Sequence, residues 1–392
     1  MRRALVTLVL VLATAALAPA VAVATAGAAG AADITCALTP STVDYGQLVT
    51  AQGTIDPATD AQPVTVAVDG VDVADGVTDA SGSYSLSFTP PKGGAVTARL
   101  SDGTASAPVT LTVNPLLTVD VGQVIFFTSV TLDLKVAPAT YADTITVKLT
   151  RGSLPVGEVH VAAAGENTQA LMPIWGVGDF RAQVSLPAWG GLAARSATTS
   201  FTVSGHRIAV GSHDEQVRAL LKALKGLHFR VPAGSSTMTR AAADSVMAFH
   251  KAYRLPRTYV FKADDWRRLT VAKPLRPRHR GPALHIEVDK TRQIMMVVKS
   301  GVPFAILHVS TGATGNTPEG TFRISSKAHV SATPYAPGII YWVMDFYPRF
   351  AIHAFASVPP YAASHGCVRE PNWVAPWVYN RSYVGETVYI FH

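Results

Sequence analysis

Near its C-terminus the chain carries the sequence Ser364-His365-Gly366-Cys367, and His353 lies fourteen residues upstream of the cysteine. This histidine closes a short apolar run, which predicts that a strand delivers it beside the cysteine. A cysteine needs a nearby base, because the thiolate is the nucleophile and a free thiol is mostly protonated at neutral pH. Glycine beside the cysteine leaves backbone amides open to a substrate carbonyl. The stretch therefore predicts a Cys/His site for acyl transfer.

A second motif lies further upstream and reads Ser310-Thr311-Gly312, followed by Thr317-Pro318-Glu319-Gly320-Thr321-Phe322. Together with His353 and the run Ser364-His365-Gly366-Cys367-Val368-Arg369, it resembles the signature of the L,D-transpeptidases, whose catalytic domain is of the YkuD type. The two motifs are separated, correctly ordered and correctly spaced, so chance is a poor explanation. The resemblance covers roughly residues 282–392. It implies an enzyme without a cofactor that cross-links the stem peptides of bacterial peptidoglycan.

The resemblance also implies roles for the motif residues. Cys367 would attack the L,D amide of a tetrapeptide stem to form a thioester, and His353 would be the base. The amides of His365, Gly366 and Cys367 would form the oxyanion hole, while Ser364 and the His365 side chain orient the loop. The structural alternative for Cys367 is a buried small hydrophobe. With no CxxC or HExxH spacing, a metal site is not expected.

Other residues near the pair are candidates for binding or orientation. Arg369 is expected to pair with a substrate carboxylate or, alternatively, to form a structural ion pair. Tyr341 and Tyr361 lie where residues that contact substrate are expected. Family members usually have glycine or serine after the upstream histidine, whereas this chain has Ala354, so a backbone carbonyl would have to orient His353. We also expect His353 to lower the pKa of the Cys367 thiol below that of a free cysteine.

Three functions are compatible with these residues. The first is a transpeptidase that passes the acyl group to an amine of a neighbouring stem and forms a 3→3 cross-link. The second is an L,D-carboxypeptidase, in which water is the acceptor, because acceptor choice depends on the exclusion of water from the site. The third is a non-catalytic wall-binding protein with a degenerate catalytic domain, against which the intact His353/Cys367 pair argues.

The N-terminus predicts export. Arg2 and Arg3 precede an uncharged, alanine-rich apolar run that reaches Ala32 and contains small-x-small sites. This pattern is typical of a secretory signal peptide over residues 1–32, and an uncleaved membrane anchor is the alternative. The sequence therefore predicts a secreted or wall-associated protein.

Cysteine use and charge agree with this location. The only other cysteine, Cys36, follows the signal segment, and a disulfide with Cys367 would abolish the nucleophile, so we expect both to be unpaired. Residues 1–204 contain 9 Lys and Arg against 15 Asp and Glu, whereas residues 205–392 contain 24 against 11. A basic C-terminal half suits an anionic polymer, and in an exported protein wall polymers are a better candidate than nucleic acid.

The predicted fold is multidomain and mainly β. Short alternating strands such as Val64–Val68, separated by turn residues, predict antiparallel sandwiches. The segment Thr42–Gln47 recurs as Thr118–Gln123, which predicts two Ig-like modules at residues 33–115 and 116–204. Alternating strands such as Leu284–Val288 and Ile294–Val298 predict a mostly β catalytic domain over residues 283–392, with the cysteine at the edge of a sheet.

A small helical module is predicted between the sandwiches and the catalytic domain, at residues 206–272. Ser212 and Glu215 suggest a capping box for its first helix, the second is expected from Thr239 to before Pro256, and a third near Asp264–Leu269. The module resembles a peptidoglycan-binding module, although His250 replaces the usual glutamine, and glycan binding and a structural spacer stay open alternatives. Residues 273–282, basic and rich in proline, are predicted to be a semi-rigid linker.

Overall fold

The computed structural model of the protein describes residues 32–335 and 338–392. The predicted signal peptide lies outside these residues except for Ala32. The described chain divides into two units, the first ending at Val113 and the second spanning Asn114–His392. Most of its regular structure is strand, so the multidomain, mainly β fold is confirmed. Among the described residues, none of the helices combines the length and apolar character needed to cross a membrane.

The first unit consists of antiparallel strands. They are β1 (Asp33–Ile34), β2 (Ala37–Thr39), β3 (Thr42–Asp44), β4 (Val49–Asp56), β5 (Pro63–Val68), β6 (Val71–Val77), β7 (Ser83–Phe88), β8 (Gly94–Leu100) and β9 (Val109–Asn114). Strand β4 pairs with β1, β2 and β7 in one sheet, and the order β3-β9-β8-β5-β6 forms the other. Alternate residues of β5, including Val64, Val66 and Val68, are buried, as the period of a strand requires.

The second unit begins with two further antiparallel sheets. Their strands are β10 (Leu116–Ile125), β11 (Ser129–Ala137), β12 (Thr144–Arg151), β13 (Leu154–Ala162), β14 (Asn167–Pro173), β15 (Gly178–Leu186) and β16 (Arg195–Val203). The sheet orders are β10-β11-β14 and β13-β12-β15-β16. The antiparallel strands expected from the sequence are therefore present in both N-terminal regions. That these regions are Ig-like modules stays a prediction.

Three helices follow, namely α1 (Glu215–Gly226), α2 (Arg240–Ala252) and α3 (Asp265–Val271). Helix α2 is capped by Thr239, as expected from the sequence. The predicted capping box of α1 is wrong, because Asp214 is the N-cap residue. Its side chain accepts a hydrogen bond from the backbone amide of Val217 at 3.0 Å. The hydroxyl of Ser212 instead accepts the amide of Ala209. A carboxylate one residue before the helix can reach the third helical amide, and this places Glu215 at the first helical position.

The C-terminal region contains two sheets and one short helix. Its elements are β17 (Leu284–Asp289), β18 (Ile294–Lys299), β19 (Val302–His308), β20 (Gly320–Arg323), β21 (Ser326–Ala332), β22 (Ile339–Tyr347), β23 (Phe350–Phe355), β24 (Val368–Pro371), α4 (Ala375–Arg381) and β25 (Thr387–Phe391). The sheet orders are β19-β18-β17-β25-β20 and β21-β22-β23-β24. One apolar core unites both sheets, and its members include Ile286, Val297, Leu307, Ile352 and Val368.

The helical module packs directly on this region. The segment after α1 runs parallel to β19, because the amide of Arg230 donates to the carbonyl of Ile306 at 3.0 Å and the amide of Ile306 donates to His228 at 2.8 Å. Trp266 of α3 also packs edge-on against Phe126 of the preceding β region, with ring centroids 5.0 Å apart. The helical module therefore packs against the C-terminal sheets.

Candidate active site

The cysteine and the upstream histidine lie on neighbouring segments at the edge of the sheet β21-β22-β23-β24. Strand β23 carries His353 and runs parallel to β24, with His353 opposite Arg369 and Ile352 opposite Val368. Cys367 immediately precedes β24. Cys367 therefore lies two residues before the position paired with His353, and its Sγ is 3.9 Å from the carbonyl oxygen of Arg349. The predictions of a strand histidine and of a cysteine at a sheet edge are confirmed.

The imidazole of His353 is held in one tautomer. The side chain is buried, and its Nδ1 lies 2.8 Å from the carbonyl oxygen of Ala354. Because a carbonyl only accepts, Nδ1 carries the proton and Nε2 keeps its lone pair. The expectation that a backbone carbonyl orients this histidine is confirmed. Burial is the main cause of a lowered pKa of His353, and Arg369 lowers it further against the opposing effect of the Ala354 bond. The ring is therefore a neutral base.

The thiol of Cys367 does not have the lowered pKa expected from its histidine neighbour. Burial raises its pKa, and the carboxylate of Asp345 raises it further, whereas the Ala351 amide and the guanidinium of Arg369 act in the opposite direction. Desolvation disfavours the charged thiolate more than the nearby donors favour it. That prediction is therefore wrong. The directions of the two pKa shifts leave both the thiol of Cys367 and the imidazole of His353 uncharged at neutral pH.

The loop before the cysteine is closed by Ser364. Its hydroxyl donates to the carbonyl of Cys367 at 2.5 Å and accepts the amide of Gly366 at 3.0 Å. The Gly366 amide is consequently engaged within the loop and is not free for an oxyanion. The bond argues against the Gly366 amide as one of the three predicted oxyanion donors, and donation by the amides of His365 and Cys367 stays a prediction.

The side chain of His365 points to an aromatic neighbour. Its ring stacks on that of Tyr335, with centroids 3.9 Å apart and planes 3° from parallel. Its carbonyl accepts the side-chain amide of Asn316 at 2.8 Å. These contacts suit a residue that orients the loop, and this role stays a prediction.

The two sequence motifs are joined through Thr317. Its hydroxyl donates to the carbonyl of Gly366 at 2.6 Å and accepts the amide of Gly312 at 2.8 Å. A Cβ atom on Gly312 would lie 3.1 Å from the Cα of Gly366, and a Cβ on Gly366 would lie 2.2 Å from the ring of Phe350. Gly366 also has a φ of 135°, which side chains rarely adopt. The motif pairing therefore depends on both glycines and on a threonine whose role the sequence analysis missed.

The three candidate substrate contacts differ in their neighbours and in their exposure. The guanidinium of Arg369 lies 4.1 Å above the ring of Phe355, and it forms no ion pair with a carboxylate in residues 32–335 or 338–392. The alternative of a structural ion pair is thus not supported within the described chain. Tyr341 lies opposite Ala354 in the sheet and is 52% exposed, and Tyr361 is 62% exposed. Contact of these residues with substrate stays a prediction.

Metal ligands are not grouped in the part of the chain that the structure describes. No cluster of three or more His, Cys, Asp or Glu side chains there could hold a metal ion. Both cysteines, Cys36 and Cys367, are free and partly buried.

Comparison with known proteins identifies the C-terminal region. The family model described as YkuD, L,D-transpeptidase catalytic domain, matches residues 283–390. An L,D-transpeptidase structure from Xylanimonas cellulosilytica is 25% identical and aligns over 48% of this chain and 99% of its own, with a TM-score of 0.45. One from Stackebrandtia nassauensis is 19% identical over 47% and 97%, with a TM-score of 0.31. The Enterococcus faecium catalytic domain is 22% identical over 29% and 100%, with a TM-score of 0.26. No curated protein matches the chain in sequence.

Proposed function

We propose, from the L,D-transpeptidase catalytic domain at residues 283–390, that the chain is an exported cysteine acyltransferase that forms 3→3 cross-links between peptidoglycan stem peptides. The observation that supports this proposal is the parallel pairing of β23, which carries His353, with β24, which Cys367 immediately precedes. General-base activation of the thiol requires a neutral imidazole with an unprotonated Nε2, and the contact between Nδ1 and the Ala354 carbonyl supports that form of His353.

The first half-reaction forms a thioester. The sulfur of Cys367 attacks the carbonyl carbon of the donor's L,D amide as Nε2 of His353 takes the thiol proton. The resulting oxyanion would accept hydrogen bonds from the amides of His365 and Cys367. When the intermediate collapses, the C–N bond breaks and the imidazolium gives its proton to the departing amine of the terminal D-residue.

The second half-reaction transfers the acyl group. The side-chain amine at the third position of a neighbouring stem attacks the thioester, and His353 accepts a proton from it. The C–S bond breaks, the sulfur takes the proton back, and a new amide joins the two third-position residues. Water in place of the amine would give the carboxypeptidase reaction with the same residues, so access of water to the thioester decides between these outcomes.

Export and wall association are part of the proposal. The cationic, then apolar N-terminal sequence supports translocation, and the excess of basic residues after position 205 supports contact with anionic wall polymers besides the stem peptides. Peptidoglycan stems are found outside the cytoplasmic membrane, so the proposed location and the proposed substrate agree.

The experiment is mass spectrometry of purified muropeptides incubated with the full chain. We expect a cross-linked dimer and release of the terminal D-residue, both lost in Cys367→Ala. The matched control is Cys36→Ala, which removes the other cysteine and should leave dimer formation unchanged. A trimmed monomer without dimer would support the carboxypeptidase alternative. Unchanged muropeptides with a folded protein would support a non-catalytic wall-binding role.

A further inference from the structure

The segment between the histidine and the cysteine is held by the helical module. This segment, residues 356–363, joins β23 to Ser364 and is called here the active-site loop. The phenol of Tyr259 donates to the carbonyl of Val358 at 2.9 Å, and Nη1 of Arg257 donates to the carbonyl of Pro360 at 2.9 Å. The other terminal nitrogen of Arg257 donates to Thr291 in the turn between β17 and β18. One guanidinium therefore joins the loop to the sheet that carries no catalytic residue.

Tyr259 is itself fixed by neighbours. The guanidinium of Arg240, at the start of α2, lies 3.8 Å from the centre of its ring, and the ring meets His308 edge-on. Burial raises the pKa of the Tyr259 phenol, so that the hydroxyl keeps its proton and stays a donor. A stacked and partly buried tyrosine loses little side-chain freedom when it binds the carbonyl of Val358, which makes it an effective anchor.

A second set of contacts holds the segments that flank the two motifs. Asp244 of α2 accepts the indole N–H of Trp373 at 2.8 Å, two residues beyond the end of β24. Its other carboxylate oxygen lies 3.3 Å from Nε2 of His308. Lys251 of α2 donates to the carbonyl of Val309 at 2.7 Å, immediately before Ser310. Burial lowers the pKa of His308 to about 4, so its ring is neutral and its Nε2–H donates to Asp244.

The side chains of Asp244, Lys251 and His308 are removed from water, which makes the docking of the helical module on the catalytic region specific. Lys251 is 1% exposed, His308 2% and Asp244 8%. Burial of such groups is costly unless each finds a partner, and here the partners lie on opposite sides of the contact between α2 and the catalytic region. Detachment of the helices would leave all three without those partners. The module therefore packs on the catalytic region through buried polar contacts as well as through its backbone pairing with β19.

We infer that residues 206–272 complete the catalytic unit, and that Arg257 and Tyr259 are positioning residues that set the active-site loop, and hence Cys367, relative to His353. Neither residue contacts the reacting atoms. They act through the backbone, since the loop ends at Ser364, whose hydroxyl orders the amide of Gly366 and the carbonyl of Cys367. The effect on turnover rests on the proposed function, whereas the effect on the loop does not.

The test compares Tyr259→Phe with a matched control in the full chain. The control is Tyr253→Phe, because the Tyr253 phenol also donates to a backbone carbonyl, that of Lys273 at 2.6 Å, outside the active-site loop. Hydrogen exchange of residues 356–363 is followed by mass spectrometry. We expect about fivefold faster exchange in Tyr259→Phe, the effect of one lost hydrogen bond, and parent-like exchange in Tyr253→Phe. Equal exchange in both variants would overturn the inference.

A second variant separates position from charge. Arg257→Lys keeps the positive charge but cannot span the two carbonyls that the guanidinium joins. We expect it to accelerate exchange of the loop as Tyr259→Phe does, and to lower kcat on stem peptides about fivefold with KM unchanged. Full recovery of loop protection by lysine would mean that charge alone matters and would overturn the positioning role.

The two proposals fail in different ways. Localised loop exchange in a chain without activity on muropeptides would refute the transpeptidase function and leave the positioning role standing. Cross-linking with parent kcat in Tyr259→Phe and Arg257→Lys would confirm the function and refute the positioning role.

Discussion

A buried carboxyl group next to the active site makes the stability of the catalytic region depend on pH. Glu370 follows Arg369 on β24, and strand alternation turns its side chain to the core face that Val368 occupies. The residue is fully buried, and neither of its carboxyl oxygens has a hydrogen-bond partner among the described residues. Burial raises its pKa to about 8, because the interior disfavours the charged form.

The sign and size of the effect follow from linkage. The folded state binds the proton of Glu370 up to about pH 8, whereas the unfolded chain releases it near pH 4.3. Between these values the folded state holds more protons, so the free energy of unfolding falls as the pH rises, at most by about 1.4 kcal/mol per pH unit. From pH 4 to pH 7 the loss is about 3 kcal/mol. Above pH 8 Glu370 contributes no further slope.

The perturbation is Glu370→Gln, which keeps the shape and cannot ionise. Urea unfolding between pH 5 and pH 8 is followed by hydrogen exchange of the β23 and β24 peptides, so that the catalytic region alone is measured. We expect the variant to gain stability over the parent steadily across this range, while the exposed Glu158→Gln control shows no such trend. A constant difference between Glu370→Gln and the parent would refute the reasoning, since Glu370 would then ionise in the folded state as readily as in the unfolded one.

The remaining predictions concern the motifs, the thiol and the domain arrangement. Thr317→Val, which leaves the Gly312 amide and the Gly366 carbonyl without a partner, should destabilise the region by about 2–5 kcal/mol in urea unfolding, whereas Thr317→Ser should cost much less. Alkylation of Cys367 by iodoacetamide should rise with pH through a midpoint above that of a free cysteine, because burial raises the pKa of its thiol; a midpoint below neutral pH would indicate a resting thiolate. A chain of residues 114–392 should keep the activity on soluble muropeptides and the thermal stability that this unit has in the full chain. A chain of residues 206–392 should melt at a lower temperature, because it exposes the face of Trp266 that packs on Phe126. Equal melting temperatures of the two chains would show that this contact contributes nothing to stability.

Local patterns in the sequence were sufficient for much of the fold. The period of the apolar residues predicted β17 and β18 within one residue, and Thr239 marked the start of α2. The apolar run ending at His353 predicted the strand that carries it. These features depend on neighbours within a few residues, so the sequence pattern contains them.

Features that depend on burial or on distant partners could not be predicted. A histidine near Cys367 suggests a lowered pKa, but the opposing desolvation depends on how the core closes around the thiol. The Gly366 amide is engaged by Ser364 only because the loop bends back on itself. The burial of Asp244 on α2 could not be predicted locally, because its partner His308 lies 64 residues away in the chain. Such contacts arise from tertiary packing, which local sequence patterns do not encode.

The protonated thiol of Cys367 has a consequence for the durability of the enzyme. Peroxides and exchanging disulfides react with thiolates, and compartments outside the cytoplasm are oxidising. At the extracytoplasmic location proposed for this chain, a permanently ionised cysteine would be open to conversion to sulfenic acid or a mixed disulfide. Because its pKa is raised, the thiol of Cys367 exposes little thiolate to these oxidants at neutral pH. The burial that raises the pKa of the Cys367 thiol would therefore also protect this thiol from oxidation.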